Sequence, residues 1–299
     1  LTSHFIQMDL QPIQNVYFIG IGGIGMSALA RYFNANGKKV CGYDRTPTEI
    51  TEMLEKEGIK VHFTDDVNAI PASFKDKHTT LVVYTPAVPK DHKELNYFQQ
   101  NGYEVVKRSE VLGFITKNTF CLAVAGTHGK TTTSSILAHL LVEAGASVSA
   151  FLGGIAENFN SNLVLKGSEY TVAEADEFDR SFLRLSPNIA CITSMDADHL
   201  DIYGDKQHLI EGFREFAGKI KPGGSLIVRN GLDIEGETYG LEDNADYTFQ
   251  NITVKNGIYH FDFHYKGGVY KDYTLLKPGR HNLLNALAAV SMAVKAGFA

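Results

Sequence analysis

The sequence has no tryptophan, only three cysteines and no surplus of positive charge. Cys41, Cys121 and Cys191 each lie inside an apolar, strand-like run, and no Cys-x-x-Cys pair exists to hold a metal or shuttle electrons. They read as buried free thiols of a reducing compartment. Lysine and arginine number 28 against 34 aspartates and glutamates, a formal net charge of −6. That balance argues against nucleic acid or an anionic membrane as main partner, so a polyanionic substrate must be met by local groups. No apolar run approaches the length of about 18 residues that a membrane span needs, and no signal-peptide pattern opens the chain. The expectation is a cytoplasmic protein. With 44% hydrophobic and 21% charged residues over 299 positions, the chain can fill two cores, expected as two domains.

What the chain does have is glycine at telling places. In Ala123-Val-Ala-Gly-Thr-His-Gly-Lys-Thr-Thr-Thr133, strand-like Phe120 to Val124 runs into a turn bracketed by Gly126 and Gly129. Lys130 and three threonines follow, then the helical pattern of Ile136, Leu137, Leu140 and Leu141. A strand, a tight turn and a helix N-terminus form a phosphate cradle, because unpaired N–H groups and the helix dipole face the anion. Lys130 would reach the outer phosphates and Thr131 would offer a hydroxyl to Mg²⁺. The match is to Gly-x-x-Gly-Lys-Thr, since Val124 stands where the longer motif has glycine. An ordinary βα turn is the alternative.

A second glycine loop lies upstream. Val16 to Ile19 enters Gly20-Ile-Gly-Gly-Ile-Gly25, and Met26 to Phe33 continues helically, so Gly20, Gly22 and Gly25 satisfy Gly-x-Gly-x-x-Gly in its proper context. The next strand, Lys39 to Tyr43, ends in Asp44, placed to accept from a ribose hydroxyl. NAD is one reading; close helix–strand packing without a ligand is another, since the loop recognises a diphosphate rather than a nicotinamide. Strands at Thr80 to Tyr84 and Glu104 to Val106 alternate with helices at Glu49 to Glu57 and Lys93 to Gln100, the pattern of a parallel α/β sheet. Thr85-Pro-Ala-Val-Pro89, a loop expected to be extended, sits at a strand carboxyl end, where ligands of open α/β sheets bind. Arg108 opens the following helix and reads either as an anion contact or as a solvated helix start.

The expected division is residues 1–116, a Rossmann-like domain, and 117–299, a P-loop-type α/β domain. Within the second, Tyr170 to Ala173 is a strand leading to Glu174. A carboxylate at the tip of a strand beside a phosphate loop is where the Mg²⁺ of a nucleotide is held. Five acids lie between Glu169 and Asp179; Glu174 is the best placed, and the other four read as surface charges. Ile189 to Thr193 is another buried strand, and His199 follows it among aspartates, either a metal or phosphate contact or a surface histidine. From Tyr247 to Leu276 short alternating runs with turns at Asn256-Gly and Lys266-Gly-Gly predict a small antiparallel β subsection. A last helix, Asn282 to Lys295, places Asn282 and Asn285 on one side, suited to read a base edge or to cap the helix.

Taken together these residues resemble the Mur ligases, the ATP-dependent amide-forming enzymes of peptidoglycan synthesis. Ala125-Gly-Thr-His-Gly-Lys-Thr-Thr-Thr133, Glu174-Ala-Asp-Glu177, Asp198-His199 and His281-Asn-Leu-Leu-Asn285 match the family's motifs in order, over essentially the whole chain. The first loop, through Met26, and the His128 form of the second are similar to the member that adds L-alanine to UDP-N-acetylmuramate. The alternatives are a relative that attaches a ready-made peptide to the same nucleotide sugar, a non-catalytic UDP-sugar-binding module and an NAD oxidoreductase.

The resemblance implies that the first domain grips a UDP-sugar, with Gly20, Gly22, Gly23, Gly25 and Met26 facing the diphosphate and Asp44, Thr85 and Arg108 as contacts chosen by position. It implies ATP on Gly126, Thr127, His128, Gly129, Lys130, Thr131 and Thr132, with Asn282 and Asn285 approaching the adenosine. One Mg²⁺ would sit on Thr131 and Glu174, and His199 would help hold a second. The catalytic set would be Lys130, Glu174 and His199. A carboxylate is a poor electrophile, so the implied reaction phosphorylates it to an acyl phosphate that the amine of L-alanine then attacks. The family also has a third, C-terminal domain. This chain is expected to be a two-domain piece that binds UDP-N-acetylmuramate but ligates poorly.

Overall fold

A run such as Val16-Tyr-Phe-Ile19 has no polar alternation and therefore needs cover on both faces. It lies fully buried as β1 (Asn15–Ile19) in the computed structural model, which describes residues 9–196 and 206–298. The elements that follow are α1 (Ile24–Ala35), β2 (Lys39–Tyr43), α2 (Glu49–Lys56), β3 (Lys60–His62), β4 (Thr80–Tyr84), α3 (Lys93–Gln100), β5 (Glu104–Lys107) and α4 (Arg108–Lys117). The strands form a parallel sheet in the order β3-β2-β1-β4-β5. Strand order therefore reverses between β1 and β4, which puts the Gly20 loop and Thr85 at the switch point where such sheets bind ligands. α1 covers the sheet with Leu29, Ala30 and Phe33, and α2 opens with a Thr48–Thr51 capping box.

The chain divides into two compact units between Phe114 and Ile115, inside α4. The second unit contains β6 (Phe120–Ala125), α5 (Lys130–Glu143), β7 (Val148–Ala156), β8 (Ser161–Leu165), β9 (Tyr170–Ala175), β10 (Ile189–Ile192) and α6 (Lys206–Ala217). Then come β11 (Ser225–Arg229), β12 (Glu237–Gly240), β13 (Tyr247–Lys255), β14 (Ile258–Tyr265), β15 (Gly268–Leu275) and α7 (Arg280–Lys295). All the strands join one ten-stranded sheet, ordered β15-β14-β13-β12-β11-β10-β6-β9-β7-β8. β6 lies between β10 and β9, parallel to both, so its carboxyl end is flanked by the tips of two strands. Leu137 and Leu141 of α5 pack in one core with Leu283, Leu287 and Met292 of α7.

The antiparallel subsection is present, with both hairpins turning as expected. Asn256-Gly257 and Lys266-Gly267 each have two consecutive positive φ values (52° and 78°, 50° and 76°), the backbone of a tight hairpin turn. The subsection is a direct extension of the parallel sheet, because β13 pairs parallel with β12. A further hairpin, β7 with β8, had no counterpart in the sequence reading. The loop after β4 departs from the extended form expected of it. Val88 N–H donates to Thr85 O and His92 N–H to Pro89 O, closing two successive turns. Proline at the second position of a turn favours this, and Pro86 occupies it in the first.

Candidate functional site

In the second unit, β6 ends at Ala125 and the chain reverses through Gly126 to Gly129 into α5. Gly126 has φ +134° and Gly129 φ +81°, which glycine adopts without strain. The tip of the neighbouring strand β10 holds this loop. Thr193 Oγ1 donates to Ala125 O at 3.1 Å and to His128 O at 2.5 Å. Ser194 Oγ accepts from His128 N–H at 2.8 Å, and Ser194 O accepts from Thr127 N–H. Those amides are thus taken. The N–H groups of Lys130, Thr131 and Thr132 precede the first helical bond, Thr133 N–H to Gly129 O, and open the helix N-terminus to an anion. The His128 side chain is exposed, 3.8 Å from Asp196.

Glu174 lies on β9 beside the loop, in register with Val124. Its Oε1 accepts from the Thr131 hydroxyl at 3.0 Å and its Oε2 from Gly153 N–H at 2.8 Å. Burial pushes its carboxyl above the ordinary range, opposed by those two hydrogen bonds and by Lys130. Two hard oxygen donors in contact at the start of a phosphate-type helix fit a divalent cation that keeps waters and phosphate oxygens. Among the described residues no group of three or more His, Cys, Asp or Glu could hold a metal ion by itself.

Glu177 corrects the sequence reading. It is not a surface charge but fully buried, and it takes Lys130 Nζ on both oxygens at 2.8 and 3.1 Å. Lys130 Nζ also donates to Gly126 O at 2.7 Å, so the ammonium is anchored within the loop that it would serve.

Asn285 and Asn282 part company. Asn285 Oδ1 would be 2.5 Å from a Cβ at Gly129, so Asn285 abuts the loop. Asn282 is 5% exposed and donates to Pro278 O, so it pins the turn before α7 and does not accept from the helix's first amides as a cap would. Asp198 and His199 lie outside the described residues.

The first unit has its own cavity of about 570 Å³ at the switch point, lined by Gly20, Gly22, Gly23, Asp44 and Thr85 together with Arg45, His92 and Lys93. Asp44 Oδ2 accepts from Gly22 N–H at 2.7 Å, so this carboxylate holds the glycine loop directly. Arg108 packs on the loop, its Nη1 2.7 Å from where a Cβ on Gly25 would be, which is closer than a solvated helix start requires. Met26 is 2% exposed, and its side-chain Cγ lies 3.7 Å from where a Cβ on Gly23 would be, so it packs under the loop.

Behind this cavity the sequence reading missed a buried polar cluster. Glu94 is fully buried and accepts from Tyr17 OH at 2.6 Å and from Asp66 N–H at 3.3 Å, with His62 Nε2 at 3.4 Å. Burial pushes its carboxyl up to about 7 from the ordinary 4.5, partly opposed by those hydrogen bonds. Because the folded-state value is the higher one, the associated stability is complete below pH 4.5 and lost as pH rises to about 7. The group should therefore lower the stability of the first unit by about 3 kcal/mol across that window. Glu94→Gln is expected to remove this slope, and denaturant unfolding of both proteins from pH 4.5 to 8 checks it; parallel pH profiles would refute it.

Residues 15–119 match the Mur ligase family, catalytic domain, and residues 124–293 match the Mur ligase middle domain. The chain is 57% identical over 290 residues to UDP-N-acetylmuramate–L-alanine ligase of Christiangramia forsetii, and 52% identical over 291 residues to that of Porphyromonas gingivalis. These alignments cover 97% and 94% of the chain but only 64% of the length of each relative. Among solved structures, UDP-N-acetylmuramate-alanine ligase from Thermotoga maritima superposes with TM-score 0.81 at 29% identity, covering 95% of this chain and 65% of that one. UDP-N-acetylmuramate:L-alanyl-gamma-D-glutamyl-meso-diaminopimelate ligase from Neisseria meningitides gives TM-score 0.83 at 25% identity, covering 95% and 94%. With its middle-domain match spanning more than half of its length, the chain belongs to the Mur ligase family.

Proposed function

We propose that this chain binds UDP-N-acetylmuramate on its first unit and Mg-ATP on its second, as part of a cytoplasmic ligase that joins L-alanine to the muramoyl carboxylate in peptidoglycan precursor synthesis. The observation that carries the reading is the loop from Gly126 to Lys130 with the Thr131 hydroxyl and the Glu174 carboxylate in contact beside it. The name shared by the relatives above 50% identity supports the choice of L-alanine. No helix among the described residues is long and apolar enough to cross a membrane.

The residues take these roles. The open amides of α5 and the Lys130 ammonium bind the triphosphate, which offsets the repulsion between it and an incoming carboxylate. Thr131 and Glu174 would hold Mg²⁺, whose contribution is to withdraw charge from the phosphate oxygens. Asn285 borders the loop and would limit where the nucleoside lies. In the first unit, the Gly20 to Gly25 backbone and Arg108 would meet the diphosphate, and Asp44 keeps that loop in shape. The muramoyl carboxylate would attack the γ-phosphate to give an acyl phosphate and ADP, and the alanine amine would then attack the acyl carbon, forming the amide and expelling inorganic phosphate.

Isothermal titration of the chain with UDP-N-acetylmuramate and, separately, with Mg-ATP tests the proposal. Both should bind. Binding of the sugar nucleotide alone would leave only a UDP-sugar-binding module, and binding of NAD in place of either would overturn the assignment. The likeness in shape to the Neisseria enzyme supports a second reading, in which a peptide replaces L-alanine. Competition between L-alanine and the tripeptide for the acyl phosphate decides between the two.

A further inference from the structure

Gly153 belongs to neither glycine loop, yet it governs how Glu174 reaches α5. β7 pairs with β9 only from Val148 to Phe151, opposite Tyr170 to Ala173, and its pairing with β8 is also interrupted after Phe151. The strand therefore has a backbone donor to spare just past that point, and Gly153 N–H turns to Glu174 Oε2. The carboxylate is clamped between β7 and α5, one oxygen on Gly153 N–H and the other on the Thr131 hydroxyl. Space is the second half of the observation. A Cβ at position 153 would lie 2.5 Å from both Glu174 carboxylate oxygens, and the three nearest atoms to it all belong to Glu174. Gly153 has no positive φ and is itself exposed, so alanine suits its backbone and its nearest collision is with that side chain. At Gly154 a Cβ would press on Thr131 Cγ2 at 3.3 Å, so the glycine pair floors both oxygen donors.

We propose that Gly153 is a positioning residue for the nucleotide-borne divalent cation. It keeps the Glu174 carboxylate against the Thr131 hydroxyl and thereby sets the affinity of the chain for Mg²⁺ on a bound triphosphate. This rests on the nucleotide reading of the second unit. The absence of a side chain at 153 is what allows a carboxylate from β9 to reach across to α5, and larger residues would push it away from the hydroxyl.

The test is Gly153→Ala, read by Mn²⁺ binding in the presence of ATP, followed by electron paramagnetic resonance, and by ATP titration with Mg²⁺ or with EDTA. Cation affinity should fall by about tenfold or more, the scale on which supporting residues tune a metal site, while ATP binding in EDTA stays the same. In a Glu174→Ala background the same substitution should have no further effect, because it acts only through that carboxylate. Unchanged cation affinity, an equal loss in EDTA, or an equal loss in the Glu174→Ala background would each overturn the inference. If Gly153→Ala alone fails to fold, the double variant decides: recovery of folding supports a collision with Glu174, and continued failure refutes it. An unmutated chain that binds no Mg-ATP overturns the nucleotide reading itself, and this inference with it.

Discussion

Lys130→Ala will abolish Mg-ATP binding, leave UDP-N-acetylmuramate binding intact and destabilise the second unit by about 3–5 kcal/mol. The two effects have separate causes. Removing the ammonium takes away a charge-assisted donor to the phosphates, and the loop's remaining amides are neutral. The stability loss comes from Glu177, which is fully buried and accepts from Lys130 on both oxygens. A buried carboxylate in that position loses its lysine, and breaking such a pair from one side is far more costly than deleting it whole. Lys130→Ala combined with Glu177→Ala should therefore regain most of the stability in denaturant melts and none of the nucleotide binding in titration calorimetry. Equal destabilisation of the single and double variants would show that the pair is not what holds this region. Loss of sugar-nucleotide binding in Lys130→Ala would show that the two units do not bind independently.

The parts of this site that were legible in the sequence are those written in backbone terms. Val16 to Ile19 and Phe120 to Val124 are apolar runs long enough for a strand covered on both faces, and each ends at a glycine that needs positive φ, Gly20 at +87° and Gly126 at +134°. A carboxylate near the tip of β9 follows from the same pattern, so Glu174 could be picked out. Side chains that act across elements could not. Which of the acids between Glu169 and Asp179 turns inward is set by the 3₁₀ turn Phe178–Arg184 and by Lys130 on another helix, neither of which has a period to read. Thr193 and Ser194 look like strand-end residues, and their grip on the loop depends on β10 lying next to β6. Gly153 gives no signal, because its use lies in what a missing Cβ leaves to Glu174. Asn282 and Asn285 share a helix side by spacing, and the turn at Pro278 claims one of them. Proximity in three dimensions, which periodicity does not encode, separates the two groups.

Gly126→Ala should severely damage the loop before α5, and for a reason that no compensating change at one neighbour can remove. Its φ of +134° strains any L side chain, a burden of about 1–3 kcal/mol. The added Cβ would also fall 2.1 Å from Thr193 Oγ1 and 2.8 Å from Ser194 N. The first of these is the hydroxyl that ties Ala125 O to His128 O, so moving it aside unfastens both ends of the loop. The second is backbone of the segment leaving β10 and cannot rotate away. The loop must then leave the strand tip, and the amides of α5 lose their common direction. Mg-ATP affinity is expected to fall by about 100-fold or more, on the scale of losing two or more charge-assisted hydrogen bonds. Thr193→Ala in the same chain relieves one collision but neither the φ nor the Ser194 contact, so the double variant should recover little. The contrast with Gly153→Ala, where φ is ordinary and one flexible carboxylate is the obstacle, separates the two glycines experimentally. Calorimetry on Gly126→Ala with and without Thr193→Ala measures this, and near-complete rescue by the second substitution would mean that the hydroxyl, rather than the backbone, dictates glycine at position 126.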